Sequence, residues 1–535
     1  MNKLSILLVL FLFGTAQAQD APFEVSIEPI EISGLQGVQS FAWGQHDGKW
    51  LIVGGRVDGL HRRQPFASFD AAGLNTQLYV IDPVNKQRWS APLSSLPTSI
   101  KEQLSATNFE FIQEEDFLYV LGGYGYSATL GNHTTYANMT AINVPSTISA
   151  IISGGTISSY FRQLNDNKFA VTGGYLNKIY NTYYLVGGQK FEGRYNPMGP
   201  DHGPGFTQEY TNAIHTFEIV DNGTNLSVNH IKTMTDADHL HRRDYNVAPQ
   251  IMPNGEEGAT AFSGVFQTAV DLPFLNSVNI DSSTYTVNND FSQYYNHYHC
   301  AHVPLYSATN NEMHTLFFGG IAQYYDNNGA LVQDNDVPFV KTIARVTRDA
   351  NGDMAEYKLP IEMPAYLGSG SEFIPVESID KYPNEVLKLD DLDNEKILIG
   401  YIFGGIESSG ANIFFINTGT ESSATARIFE VYVQKGETNS IDVLNPQSVQ
   451  SLQMQVYPNP NKGKFMIQYN LDHGQEVKIT IQNAEGKTIE KLTHAGQAGL
   501  NEISSKIKGV SYGSVFFVTI HTATETATQK VILNR

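Results

Sequence analysis

The sequence predicts an all-β molecule, a six-bladed β-propeller followed by a small β-sandwich, and three observations carry that reading. An apolar strand running into a glycine pair recurs along most of the chain. Tyr (28), Phe (29) and Gly (46) are abundant, the mixture that many short strands joined by tight turns require. After Lys435 the texture changes to a polar stretch, and a second, shorter run of strand patterns follows to the C-terminus.

Residues 1–18 have the three parts of a signal peptide. Lys3 supplies the positive charge, Leu4 to Phe13 is an apolar run, and Ala16-Gln17-Ala18 is a small-x-small cleavage site. The mature chain is expected to begin at Gln19. No Cys stands near the cleavage point, which excludes a lipoprotein anchor, and no later stretch is apolar enough for a transmembrane segment. Cys300 is the only cysteine, so no intramolecular disulfide can form. The formal charge of −20 argues against a nucleic acid or an anionic membrane surface as partner.

Residues 19–434 carry the repeat. It reads Trp50-Leu-Ile-Val-Gly54-Gly55, Leu118-Tyr-Val-Leu-Gly122-Gly123, Tyr183-Tyr-Leu-Val-Gly187-Gly188, Thr315-Leu-Phe-Phe-Gly319-Gly320 and Gly400-Tyr-Ile-Phe-Gly404-Gly405. A degenerate copy, Thr260-Ala-Phe-Ser263-Gly264, fills the one large gap. Spacings of roughly 55 to 85 residues mean a propeller or an array, because a single unit cannot bury both of its faces. In the first unit four strands are expected near Val38–Gly44, Trp50–Gly55, Gln77–Ile81 and Arg88–Pro92. Two doublets fall out of phase, and the second, Gly173-Gly174, is assigned to a first strand from Phe169 to Leu176. The sixth unit supplies only three strands. Its missing outer strand is expected within residues 23–32, where Phe23, Val25 and Ile27 alternate with polar residues.

In the first unit the doublet is followed by Tyr79 and then Trp89. That arrangement resembles the Kelch repeat, in which the doublet ends the second strand and the Tyr and Trp mark the third and fourth. Only this unit keeps the Trp, so the resemblance is strong in one unit and loose in five. It implies a Kelch-like β-propeller.

Residues 435–451 read as a linker and 452–535 as a separate module. Val456-Tyr457-Pro458-Asn459-Pro460-Asn461 is a turn between two strands, where Pro fixes φ and Asn bonds the backbone. Lys478 to Ile481, Asn483 to Lys487 and Thr526 to Leu533 are expected to be further strands. With Gly463, Asn483-Ala-Glu-Gly486-Lys487 and the closing Lys530-Val-Ile, this module resembles the type A sorting domain of the type IX secretion system. The Gly509 to Gly513 passage is longer than usual for that family. The resemblance implies an immunoglobulin-like β-sandwich, the type IX secretion machinery as partner, and a Gram-negative bacterial protein that is secreted or attached to the outer-membrane surface after transit through the periplasm.

Loop lengths single out one face of the propeller. Turns such as Gln45–Gly48 are short, whereas the links after Gly55, Gly188 and Gly320 run to roughly 20 residues and emerge on the same face as the inter-blade links. That loop-rich face gathers Arg56, His61, Arg62, Arg63, Tyr124, Arg194, His241, Arg242, Arg243, Tyr245, Tyr298, His299 and Tyr324. Arg supplies a planar donor fork for carboxylates, and aromatic rings stack on sugars. The expected function is therefore binding of a glycan or protein ligand at the cell surface, with neither cofactor nor metal. The other reading is a sugar-converting enzyme similar to the six-bladed sialic acid epimerase, a mutarotase or epimerase using Arg194 and Glu209. A copper oxidase resembling galactose oxidase would use the run from Tyr294 to His302, but no matching distant Tyr-His pair exists.

Overall fold

The computed structural model describes residues 21–197, 199, 203, 205–327, 330–436, 452, 454–471, 473–483, 487–507, 514–522 and 526–533. The signal peptide, nearly all of the linker and the Gly509–Gly513 passage lie outside these residues. Strands account for 53% of the chain and helices for 7%, so the molecule is all-β in class.

Six antiparallel sheets follow one another from the N-terminal side. The first is Ala42–His46, Lys49–Val53, Gln77–Asp82 and Gln87–Pro92. The second runs Thr107–Glu114, Phe117–Ser127, Asn138–Asn143 and Phe161–Asn165; the third runs Tyr175–Ile179, Thr182–Val186, Ala213–Asp221 and Leu226–Thr235. The fourth is Asn246–Ile251, Glu257–Phe262, Ser277–Ile280 and Tyr285–Asn288. The fifth is His302–Ser307, Glu312–Phe318, Thr342–Arg348 and Met354–Glu362, with the short Leu387–Lys388 added parallel to its first strand. The sixth takes Ser371–Pro375, Ile397–Gly404 and Ile428–Lys435 from its own stretch of chain and Phe23–Ile30 from the N-terminal end. That last pairing is antiparallel, from Phe23 opposite Lys435 to Ile30 opposite Ile428.

The repeated strand is mostly apolar at successive positions because each sheet buries both faces. Leu118 and Val120 pack with Leu51, Val53 and Val80 of the first sheet, while Tyr119 and Leu121 pack with Leu185 and Phe217 of the third. The same alternation sends Trp50 and Ile52 toward Tyr401 and Phe403 of the sixth sheet. Further clusters fill the third–fourth, fourth–fifth and fifth–sixth gaps.

The glycine doublet staples one sheet to the next. Its second N–H donates to a carbonyl just ahead of the following sheet's first strand: Gly55 to Ala106 (2.8 Å), Gly123 to Val171 (2.9 Å), Gly188 to Arg242 (2.7 Å), Gly320 to Leu367 (2.8 Å) and Gly405 to Val38 (2.9 Å). A Cβ on the first glycine of each pair would collide with that same carbonyl. Both glycines of every pair also have positive φ. Two glycines, and no other residue, meet both demands.

A second chain of backbone bonds runs beside the first. Asn108 N–H donates to Ser40 (3.1 Å), Gly173 to Asn108 (3.2 Å), Asp244 to Gly173 (2.8 Å), Gly370 to His299 (2.7 Å) and Ser40 to Gly370 (2.8 Å). Among the described residues no such bond joins Asp244 to His299. That junction follows the degenerate Ser263-Gly264 copy, and buried Asn246 bridges it instead. Its amide donates to His297 O (2.5 Å), and its Oδ1 accepts from Cys300 N–H (3.0 Å).

Two strand assignments are corrected. Gly173 belongs to the linking turn, with φ 68°, and the strand begins only at Tyr175, so Phe169–Leu176 is not a strand. Phe169 lies instead in a short 3-10 turn. In the C-terminal module Asn483 ends a strand, Gln475–Asn483, and the next starts at Thr488. Asn483 N–H donates to Lys487 O, and residues 484–486 between them lie outside the described residues. The module itself is two sheets, one of three strands and one of four, around a core that includes Phe465, Ile479 and Val518.

Candidate functional site: two cavities that meet at His299

The first strands of the six sheets lie side by side, and a cavity opens at each end of them. On the side of the long loops it has a volume of about 340 Å³; on the side of the short strand turns, about 520 Å³. His299 lines both. Its Nε2 is 2.9 Å from Oε1 of Glu372, a largely buried carboxylate on the sixth sheet's first strand. Burial opposes charging of His299, but Glu372 outweighs it and holds the imidazole above its ordinary value.

The loop-side cavity gathers Arg56, His61, Arg63, Tyr124, Arg243, Tyr298 and His299 from the residues singled out in the sequence. Arg56 is buried and grips Asp58 with two bonds of 2.7 and 2.6 Å. Arg243 pairs with Asp244 and donates to Tyr210 Oη at 3.0 Å. Arg63 is different. Its guanidinium lies 4.9 Å from the centre of the Phe415 ring and, among the described residues, has no acid partner. Burial pushes His61 down to about 4, so it is neutral at physiological pH. Asp244 is the only acidic residue in the lining, and Phe69, Tyr195, Phe266, Phe414 and Phe415 supply aromatic walls.

The other residues named from the sequence are not brought to either cavity. Arg242 is 1% exposed and donates to the carbonyls of His239, Ser263 and Asn276 and to Asn276 Oδ1, so it holds the link between sheets together. Tyr245 is a core residue whose hydroxyl donates to Val186 O (2.7 Å). Tyr324 is buried edge-on against Tyr294. His241 stacks on Tyr210 and bonds Asn212, and Arg194 donates to Ser68 O. Arg62 is exposed beside Gly419. Glu209 is exposed on the strand Phe206–Tyr210, away from both cavities.

The run from Tyr294 to His302 is occupied with structure. His297 is fully buried with Nδ1 at 2.7 Å from Gly319 O, and Tyr294 and Tyr295 N–H groups both point at Glu356. Among the described residues no three His, Cys, Asp or Glu side chains come together in a way that could hold a metal ion.

The cavity on the turn side is the feature that sequence reasoning missed. It is lined by Glu110, Glu372, Asn384, Tyr175 and His302, with Trp43 and Phe111 as aromatic wall. The sequence carried no clear signal for it: Phe109-Glu110-Phe111 reads as ordinary alternation with the acid facing out, and only the packing of neighbouring sheets on both faces buries Glu110.

Residues 455–534 match the family described as the secretion system C-terminal sorting domain. The chain therefore carries the signal for type IX secretion and goes to the cell surface or beyond it. Among the described residues no helix is long and apolar enough to cross a membrane. No curated protein matches the chain. Among solved structures it is similar to one titled "Structure of YjhT" (TM-score 0.40, 12% identity, 75% of this chain and 98% of that one). It is also similar to PorZ, an essential surface component of the type IX secretion system of Porphyromonas gingivalis (TM-score 0.23, 10% identity, 92% of this chain and 59% of that one). A third is a glycoside hydrolase (TM-score 0.24, 9% identity, 80% and 96%).

Proposed function

We propose that the six sheets are the blades of a Kelch-like β-propeller, and that this exported protein binds an acidic sugar in the loop-side cavity. The doublet staples, the bond chain that returns from Gly370 to Ser40, and the apolar cluster between sixth and first sheets support the ring. The observation that carries the ligand class is Arg63. Every other cation in the cavity is matched to a carboxylate, and Arg63 faces an aromatic-walled space without one. A carboxylate on a polar pyranose ring satisfies that guanidinium with paired hydrogen bonds, and the C–H face of the ring lies on the aromatic walls.

A glycan array with the purified chain, followed by titration with galacturonic acid and its methyl ester, tests the reading. A charge-assisted bond at a partly desolvated site contributes about 1.5–3 kcal/mol, so Arg63→Ala should weaken binding about ten- to a hundredfold. The methyl ester should behave toward the unaltered chain as the acid does toward that variant. Silence across the array, or equal affinity for acid and ester, would overturn it.

A further inference from the structure

We infer that the cavity on the turn side is a second binding site, which takes an ammonium group carried on an alkyl chain. This does not rest on the loop-side reading, because the two linings share only His299.

Its charge balance is the first ground. The lining holds six carboxylic acids and two lysines. Lys178 pairs with Glu114 at 2.6 Å, Lys381 with Glu385, and His299 with Glu372. Each cation is thus matched, and Glu115 and Glu377 remain without a cationic partner among the described residues; Glu110 has none either, and burial pushes its carboxyl up to about 8, so it holds its proton until a cation comes beside it. His302 adds no positive charge, since burial pushes it down to about 4.

The second ground is independent of the acidic rim. Glu110 is 1% exposed; its Oε1 accepts from Gly174 N–H at 2.8 Å, and its Oε2 has no partner. Asn384 is 6% exposed; its amide nitrogen donates to Gln250 O at 2.9 Å, and its Oδ1 has no partner. Buried acceptors without a donor are costly, and natural proteins keep them where something else completes them. Both of these belong to residues on the wall of one cavity of about 520 Å³. An ammonium supplies N–H donors that Asn384 Oδ1 lacks, and its positive charge favours the ionised form of the Glu110 carboxyl, which then accepts from it. The alkyl chain finds the Trp43–Phe111 pair, with rings 6.3 Å apart, and the ring faces attract the cation as well.

The same ammonium chemistry occurs in a free polyamine and in a lysine side chain. The test therefore titrates the full chain, at physiological salt, with spermidine and separately with Nα-acetyl-lysine methylamide. Saturable binding of at least one probe is expected, and which one binds identifies the source. Glu110→Gln and Glu377→Gln should each weaken it at least fivefold. Arg63→Ala at the other cavity, and Glu218→Gln at an exposed position of the third sheet, should leave it unchanged. If Glu110→Gln does not fold, the exposed Glu377 position decides alone. No saturable binding of either probe would overturn the inference. So would affinity untouched by the two variants, or reduced equally by Glu218→Gln through general attraction to an acidic protein.

Discussion

Neighbouring arginines can have opposite duties, and Arg242 and Arg243 show it. One is enclosed and committed to backbone carbonyls, and the other reaches the loop-side cavity. Arg242→Ala should cost about 3–5 kcal/mol, because it strands several buried acceptors at once. Arg62→Ala, at an exposed position, should stay within about 0.5 kcal/mol in the same urea titration. Equal stability of the two variants would show that Arg242 is not a structural staple. The sequence marks this stretch as rich in Arg, His and Tyr but carries no sign of which side chain points inward, since the link is not a regular strand with a fixed alternation. Residue type was therefore legible and residue role was not. Glu110 and Glu372 escaped for the opposite reason: each is an acid flanked by apolar residues within a strand, a pattern that ordinary alternation explains by pointing the acid to solvent.

At the scale of the element, the doublet is a device for bringing two backbones together. Gly122→Ala combines two costs, a left-handed conformation and a collision with the Val171 carbonyl. Together they should destabilise by about 2–5 kcal/mol. Gly48→Ala isolates the first cost, since φ there is 68° and nothing lies within 4 Å of the new methyl. It should lose only about 1 kcal/mol. Similar losses in both variants, measured by chemical unfolding, would remove the collision from the account. Strands ending in a doublet were readable because their unbroken apolar run has one cause, burial on both faces. The Gly173-Gly174 pair misled because a glycine needed for a turn and a glycine needed for a close approach look the same in a sequence. The hairpin Gln189–Gly193 with Phe206–Tyr210, grown from the third doublet's link, joins the second sheet through Glu192 opposite Thr134. No local pattern announces such a borrowed edge.

At the scale of the whole molecule, buried ionisable groups set a stability optimum. Burial pushes His61, His297 and His302 down to about 4. The unfolded chain therefore binds protons that the folded one refuses between about pH 4 and 6.5, and stability rises with pH there. Burial pushes Glu110 and Glu356 up to about 8. The folded chain keeps protons that the unfolded one has lost, so these two reduce stability as pH climbs from about 4.5 to 8. The raised pKa of His299 adds stability that is fully present below about 6.5 and is lost as pH passes its folded value. The melting temperature should peak near pH 6–6.5, with a loss of about 2–4 kcal/mol by pH 8.5. Glu356→Gln should flatten the alkaline side by roughly half. A profile still rising at pH 8 would contradict the burial of both glutamates.

The pairing of Phe23–Ile30 with Ile428–Lys435 also has a meaning in time. Of the described strands, the earliest to leave the ribosome is held by the last one before the C-terminal module, so it must wait for nearly the whole of the intervening chain. Until then Phe23–Ile30 has no partner strand and the sixth sheet lacks its last two members, so both are left with bare edges. The sorting domain at 455–534 emerges later still. A product cut short before its closing strand therefore also lacks its export address. Partner strand and address are lost together, so a chain whose N-terminal strand can never be paired lacks the signal for passage to the cell surface.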